Sequence, residues 1–173
     1  MANWVEFHLK SLTIRGIDMT LAEFDNQYRE KYPLICGVDE AGRGPLAGDV
    51  FAAAVVFDKD VVIEGIDDSK KLSEKKREQL FDEITEKAEF YAIRTATVAE
   101  IEEINILNSA MLAMKRAVED LDCQPDYVLV DGNKTPDIAF KTEAVVKGDA
   151  KSQSVAAASI LAKVARDRYM KEI

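Results

Sequence analysis

The residues best equipped for chemistry are acids in three separated stretches: Asp39 and Glu40, then Asp131, then Asp149. Each follows an apolar run of strand length. Leu34-Ile35-Cys36-Gly37-Val38 precedes Asp39, Tyr127-Val128-Leu129-Val130 precedes Asp131, and a strand predicted over Glu143 to Lys147 precedes Gly148-Asp149. In open α/β sheets, ligands bind beyond the carboxyl ends of strands, where all these acids would lie. Carboxylates gathered there repel one another unless cations sit between them. Hard divalent cations with oxygen ligands, Mg²⁺ or Mn²⁺, match such a donor set. The bland alternative also stands: Asp-Glu before glycine is commonly a polar turn, and Asp-Gly is a frequent turn dipeptide.

Asp39 and Glu40 are adjacent, so in a regular strand they face opposite sides. Sharing an ion then requires the chain to turn at that point. Ala41-Gly42-Arg43-Gly44 offers such a turn, because glycine reaches positive φ.

Other chemistries are poorly supplied. His8 is the one histidine, so a Ser-His or Cys-His nucleophile and a His/Cys zinc site are both nearly excluded. Cys36 reads as a small buried hydrophobe, and Cys123 falls in a loop without an evident partner.

The elements that must position the acids follow from local signals. Thr20-Leu21-Ala22-Glu23 has the form of a capping box, with Leu21, Phe24 and Tyr28 on one face; it predicts a helix over about 21–31, ended by Pro33. Val50 to Phe57 is a second apolar strand. Ser73 can cap a helix carrying Leu80, Phe81 and Ile84, and Glu89 to Ala96 reads as a strand. Thr97-Val98-Ala99-Glu100 is a second capping box, opening a long helix whose stripe of Ile101, Ile104, Leu107, Met111, Met114 and Val118 is core packing. From Ser152 the Ala- and Ile-rich sequence forms a last helix suited to close packing. Strands alternating with helices mean an α/β fold.

The 173 residues (19.3 kDa, 47% hydrophobic, 32% charged) suit one globular domain. No apolar run approaches the roughly 20 residues of a membrane span, and the N-terminus lacks a signal pattern, so a cytoplasmic protein is expected. The net charge of −9 argues against nucleic acid, yet the basic residues are clustered. One group holds Lys70, Lys71, Lys75, Lys76 and Arg77; the other holds Lys147, Lys151, Lys163, Arg166 and Arg168. Ordinary solvated surface and a phosphate-binding face are both open readings of these clusters.

Gly37-Val38-Asp39-Glu40-Ala41-Gly42-Arg43-Gly44-Pro45-Leu46-Ala47-Gly48 resembles the opening motif of the ribonuclease HII family. The likeness continues, in the family's order, at Asp68 to Ser73, Ile104 to Asn108, Val130-Asp131-Gly132, Lys147 to Ser152 and Ala156 to Asp167. The resemblance implies a ribonuclease H-like fold, a central mixed sheet flanked by helices. It implies that Asp39, Glu40, Asp131 and Asp149 are catalytic acids binding two Mg²⁺ or Mn²⁺ ions. Gly42, Arg43 and Gly44 would recognise the ribose 2′-hydroxyl, the group that distinguishes RNA from DNA. Ser69, Lys70 and Lys151 match positions expected to contact phosphate, whereas Asn105 and Asn108 could touch the duplex or cap local structure. Arg43 and the short N-terminal stretch separate the chain from the sister family, ribonuclease HIII.

The implied organisation is an N-terminal extension with one helix over 1–33 and a type 2 ribonuclease H catalytic domain over 34–173. The family continues beyond a point equivalent to Ile173 with a tyrosine-bearing segment and a final helix; Tyr169 does not match that tyrosine. Asp49 stands where the family usually has proline, which is expected to perturb the start of the second strand. The implied activity is two-metal hydrolysis of the RNA strand of RNA–DNA hybrids and of ribonucleotide-containing DNA duplexes, by a monomer. A hybrid-binding module with little or no turnover is the alternative. A ribonuclease H-like nuclease acting on DNA fits the acids but not the Gly-Arg-Gly turn.

Overall fold

The computed structural model describes residues 19–42, 48–67 and 69–173. The expectations for Arg43, Gly44 and Asp68, and for residues 1–18, fall outside these. In chain order the elements are α1 (Leu21–Arg29), β1 (Ile35–Ala41), β2 (Val50–Val56), α2 (Glu74–Lys87), β3 (Phe90–Ala96), α3 (Val98–Glu119), β4 (Tyr127–Asp131), β5 (Thr142–Val145) and α4 (Gln153–Glu172). Short 3₁₀ turns lie at Ser69–Lys71 and Gly148–Ala150.

Both predicted capping boxes form. Thr20 and Glu23 exchange side chain-to-backbone bonds at the start of α1, and Thr97 and Glu100 do the same for α3. Ser73 and Ser152 cap α2 and α4. These local bonds satisfy first-turn N–H groups that would otherwise be left without partners.

The sheet is mixed, in the order β3-β2-β1-β4-β5. β1 pairs antiparallel with β2 and parallel with β4, and β4 pairs parallel with β5. Cys36 and Val38 of β1, with Val128 and Val130 of β4, point to the face covered by α3. Phe51, Ala53 and Val55 point to the opposite face, against α2 and α4. On that same side α1 packs Phe24 and Tyr28 on Ile35, Leu129, Val145 and Val155. The expected sheet with helices on both faces is therefore present. Among the described residues no helix is long and apolar enough to cross a membrane.

Three expectations change. The stripe on α3 is only partly core: Met114 and Val118 are buried, but close packing falls to Ser109, Ala110, Ala113 and Ala117, with Ile104 and Leu107 half-buried. The reason is a break at Asn105 (φ 73°, ψ 170°), which shifts the face of the helix. Asn105 and Asn108 serve that break. Asn105 Oδ1 accepts from Asn108 N at 2.9 Å, and Asn108 Nδ2 donates to Ile104 O at 3.0 Å. Asp49 does not disturb β2, which begins at the next residue; its Oδ1 accepts from Val98 N (3.1 Å), joining β2 to the start of α3. The predicted strand to Lys147 stops at Val145, and Lys147 takes a left-handed conformation (φ 56°).

Candidate metal centre

The parallel register brings two of the acids together. Val38 is level with Val130, so the next residues, Asp39 and Asp131, stand side by side at the carboxyl ends of β1 and β4. Asp149 arrives from beyond β5 on the 3₁₀ turn Gly148–Ala150. Its backbone N–H donates to Asp131 Oδ1 at 3.1 Å. Two glycines permit this approach. Gly132 leaves β4 at φ +114°, a conformation that L side chains rarely adopt, and Gly148 lies against Val145, Val155 and the Asp131 backbone.

Asp39, Asp131 and Asp149 each offer a carboxylate oxygen, and the three oxygens lie within 4.8 Å of one another. Asp39 and Asp149 are buried and Asp131 is half-buried. Burial and the neighbouring Glu40 and Asp131 charges hold the Asp39 carboxyl well above the usual carboxylate range. Oxygen-only donors, packed close enough to raise the pKa of one of them, suit a hard divalent cation better than any monovalent ion.

Glu40 reaches the cluster differently from expectation. β1 does not turn between Asp39 and Glu40; it stays paired with β2 through Ala41, with Asp39 opposite Ala53 and Glu40 opposite Ala52. Glu40 instead lies beside Asp39, where its charge helps to raise the Asp39 carboxyl, and its backbone N–H donates to Asp39 Oδ1 at 2.8 Å. The fourth acid therefore adjoins the three-carboxylate group through Asp39.

Of the predicted substrate contacts, Gly42 (φ +104°) closes β1 against the Arg166 side chain. Ser69 is buried, sharing a 2.8 Å hydroxyl–hydroxyl hydrogen bond with Ser159. Lys70 and Lys151 are exposed, Lys151 directly after the turn that carries Asp149. The basic clusters are only partly a surface. Arg77 donates to Ser69 O and Leu72 O, Lys163 pairs with Asp167, and Arg168 pairs with Glu78. Arg166 is buried and donates to Asp49 O at 3.2 Å. Tyr169 packs on Phe51.

Two residues near the centre escaped the sequence reading. Arg166 was grouped with surface cations, whereas it supports the ends of the β1–β2 connection. Asp25, buried in α1, carried a signal: with Leu21, Phe24 and Tyr28 it completes the i, i+3, i+4, i+7 stripe that faces the core.

The sequence pattern of the ribonuclease HII family matches residues 36–173, which includes every acid of the centre. The chain belongs to the ribonuclease HII family. Its members are endoribonucleases. A ribonuclease HII of Caldicellulosiruptor bescii is 55% identical over 162 residues, covering 90% of this chain and 79% of that protein. Among solved structures, ribonuclease H2 of Pyrococcus horikoshii superposes with a TM-score of 0.70 at 31% identity, over 80% of this chain and 74% of the other. Bst-RNase HIII, solved in complex with Mn²⁺, superposes with a TM-score of 0.69 at 20% identity, over 80% and 53%, a likeness of fold.

Proposed function

We propose that this ribonuclease HII family member hydrolyses the RNA strand of RNA–DNA hybrids. It also nicks duplex DNA on the 5′ side of an embedded ribonucleotide, leaving 3′-hydroxyl and 5′-phosphate ends. The observation that carries the reading is the meeting of Asp39, Asp131 and Asp149 oxygens within 4.8 Å. Asp39, Asp131 and Asp149 would hold the divalent cations, and Glu40, which adjoins them through Asp39, would complete the coordination. Two Mg²⁺ or Mn²⁺ ions, when bound, supply a more acidic water and neutralise charge on the leaving oxygen.

The remaining residues position the substrate. Gly42, Arg43 and Gly44 recognise the 2′-hydroxyl, which gives selectivity for a ribonucleotide. Lys151 and Lys70 contact phosphate, and Ser69 holds the turn that carries Lys70. Most contacts of this kind fix register on the duplex without reading sequence. The protein acts as a cytoplasmic monomer on this reading.

The deciding experiment uses a DNA duplex with one ribonucleotide, incubated with Mn²⁺ or Mg²⁺ and then with chelator. A metal-dependent nick 5′ of the ribonucleotide, with an all-DNA duplex left intact, is the expected result. Binding without nicking would overturn the hydrolytic reading in favour of a hybrid-binding module.

A further inference from the structure

α1 precedes residues 36–173, so the family match gives it no role. Its Asp25 is fully buried, and its carboxylate accepts three hydrogen bonds from the start of α4. Oδ1 accepts from Ser152 Oγ at 2.5 Å; Oδ2 accepts from Ser154 N at 2.8 Å and Ser154 Oγ at 2.7 Å. Ser152 Oγ in turn caps α4 by accepting from Val155 N at 3.2 Å. A helix N-terminus favours an oxygen acceptor through its open N–H groups and its dipole, and here the acceptor is a carboxyl of the chain itself, whose pKa burial raises against the opposing pull of the Ser152 and Ser154 hydrogen bonds.

The other side of the same helical turn rests on β1. A Cβ on Gly37 would lie 2.2 Å from Ser154 C and 2.3 Å from Val155 N, so only glycine admits this contact. Gly37 is two residues before Asp39, and Ser152 is three residues after Asp149. The first turn of α4 is thus gripped between Asp25 and Gly37 where the two acid-bearing segments converge. An apolar residue at this place on the α1 stripe would hold the helix down with less desolvation cost. What the carboxylate adds is direction and fixed length at three bonds.

We propose that Asp25 is a positioning residue for the metal centre: by holding the first turn of α4 against β1, it sets the separation of Asp149 from Asp39. This rests on the reading of the three-carboxylate group as a cation site. Outer groups that orient metal ligands typically alter metal affinity by about 10- to 100-fold when removed. Asp25 itself touches neither cation nor substrate.

The test is Mn²⁺ titration of the full chain by calorimetry, for the native protein, Asp25→Asn and Ser154→Ala, each at a temperature where circular dichroism shows it folded. The expected result is a dissociation constant raised about 10-fold in Asp25→Asn and less in Ser154→Ala. In the nicking assay at fixed, subsaturating Mn²⁺, kcat falls while KM for the duplex stays unchanged. Native Mn²⁺ affinity in a folded Asp25→Asn protein, even with a lower Tm, would overturn the proposal by reducing Asp25 to a stabilising residue. If Asp25→Asn does not fold, Ser154→Ala decides by the same criterion. A native chain that binds no Mn²⁺ would remove the cation site, and the positioning role with it.

Discussion

Asp131 Oδ1 accepts the backbone N–H of Asp149 at 3.1 Å, so one acid of the centre places another. That bond needs an oxygen at Oδ1 but not a charge. An asparagine at 131 keeps it while removing a carboxylate from the cluster. Asp131→Asn is therefore expected to lose cleavage by more than about 100-fold, the upper range for disturbing even an outer metal partner. Without metal its stability should equal or exceed the native protein's by about 1 kcal/mol, because repulsion on Asp39 is relieved. Thermal unfolding with and without Mn²⁺ checks both statements: the metal should raise the native Tm and leave the variant's nearly unchanged. A strongly destabilised apo variant would refute the account.

Gly37 and Gly132 should respond differently to alanine. At Gly37 the obstacle is backbone, with Ser154 C 2.2 Å from the would-be Cβ, so relief requires moving α4. Gly37→Ala is expected to cost about 3 kcal/mol, the upper range for overpacking. At Gly132 nothing lies within 4 Å, and only the φ of +114° is unfavourable. Gly132→Ala should then cost about 1–2 kcal/mol. Urea denaturation of the two variants gives the comparison, and equal losses would contradict it.

Asn105 occupies a backbone region (φ 73°, ψ 170°) that is almost confined to glycine, and it caps the second part of α3 through Asn108 N. Asn105→Ala loses the cap and keeps the strain, at an expected cost of about 1–2 kcal/mol. Asn105→Gly loses the cap but relieves the strain, and should be close to neutral. Chemical denaturation separates them; a glycine variant as weak as the alanine one would argue against backbone strain at this break.

Glu100 and Arg116 form a two-bond pair, with Arg116 Nη2 2.6 Å from Glu100 Oε2 and Nη1 2.9 Å from Oε1. The Arg116 hydrogen bonds, with the Thr97 amide, pull the Glu100 carboxyl down from 4.5 to about 2. A lowered folded-state pKa gives stability that is complete above the ordinary value and lost as pH falls toward the folded one. The stability difference between native protein and Glu100→Gln should therefore be constant above about pH 5 and vanish between pH 4.5 and pH 2. Denaturation midpoints across that range test this, and a difference that persists at pH 2 would refute it.

Much of this architecture was legible in the chain because its causes are local. The capping boxes at Thr20 and Thr97 bond residues three apart, and the serine caps at 73 and 152 act within one turn. The buried strands announced themselves as apolar runs ended by Asp39 and Asp131. The acids were also legible, by chemical type and by likeness to a family motif. The break at Asn105 was not, since the apolar spacing continues across it and only the backbone dihedrals reveal the shift of face.

What the sequence by itself determined, then, was the inventory: an α/β chain, its elements to within a few residues, and the carboxylates able to hold a cation. Tertiary structure alone decided which groups meet. The register of β1 against β4 sets Asp39 beside Asp131, a strand unbroken through Ala41 makes Glu40 reach the cluster by way of Asp39, and α4 takes Arg166 out of the apparent basic surface. Asp25 and Ser154 lie 129 residues apart, and no local preference of either residue encodes their bond. Propensity and capping act over a few residues; register and close packing depend on the whole chain folding at once.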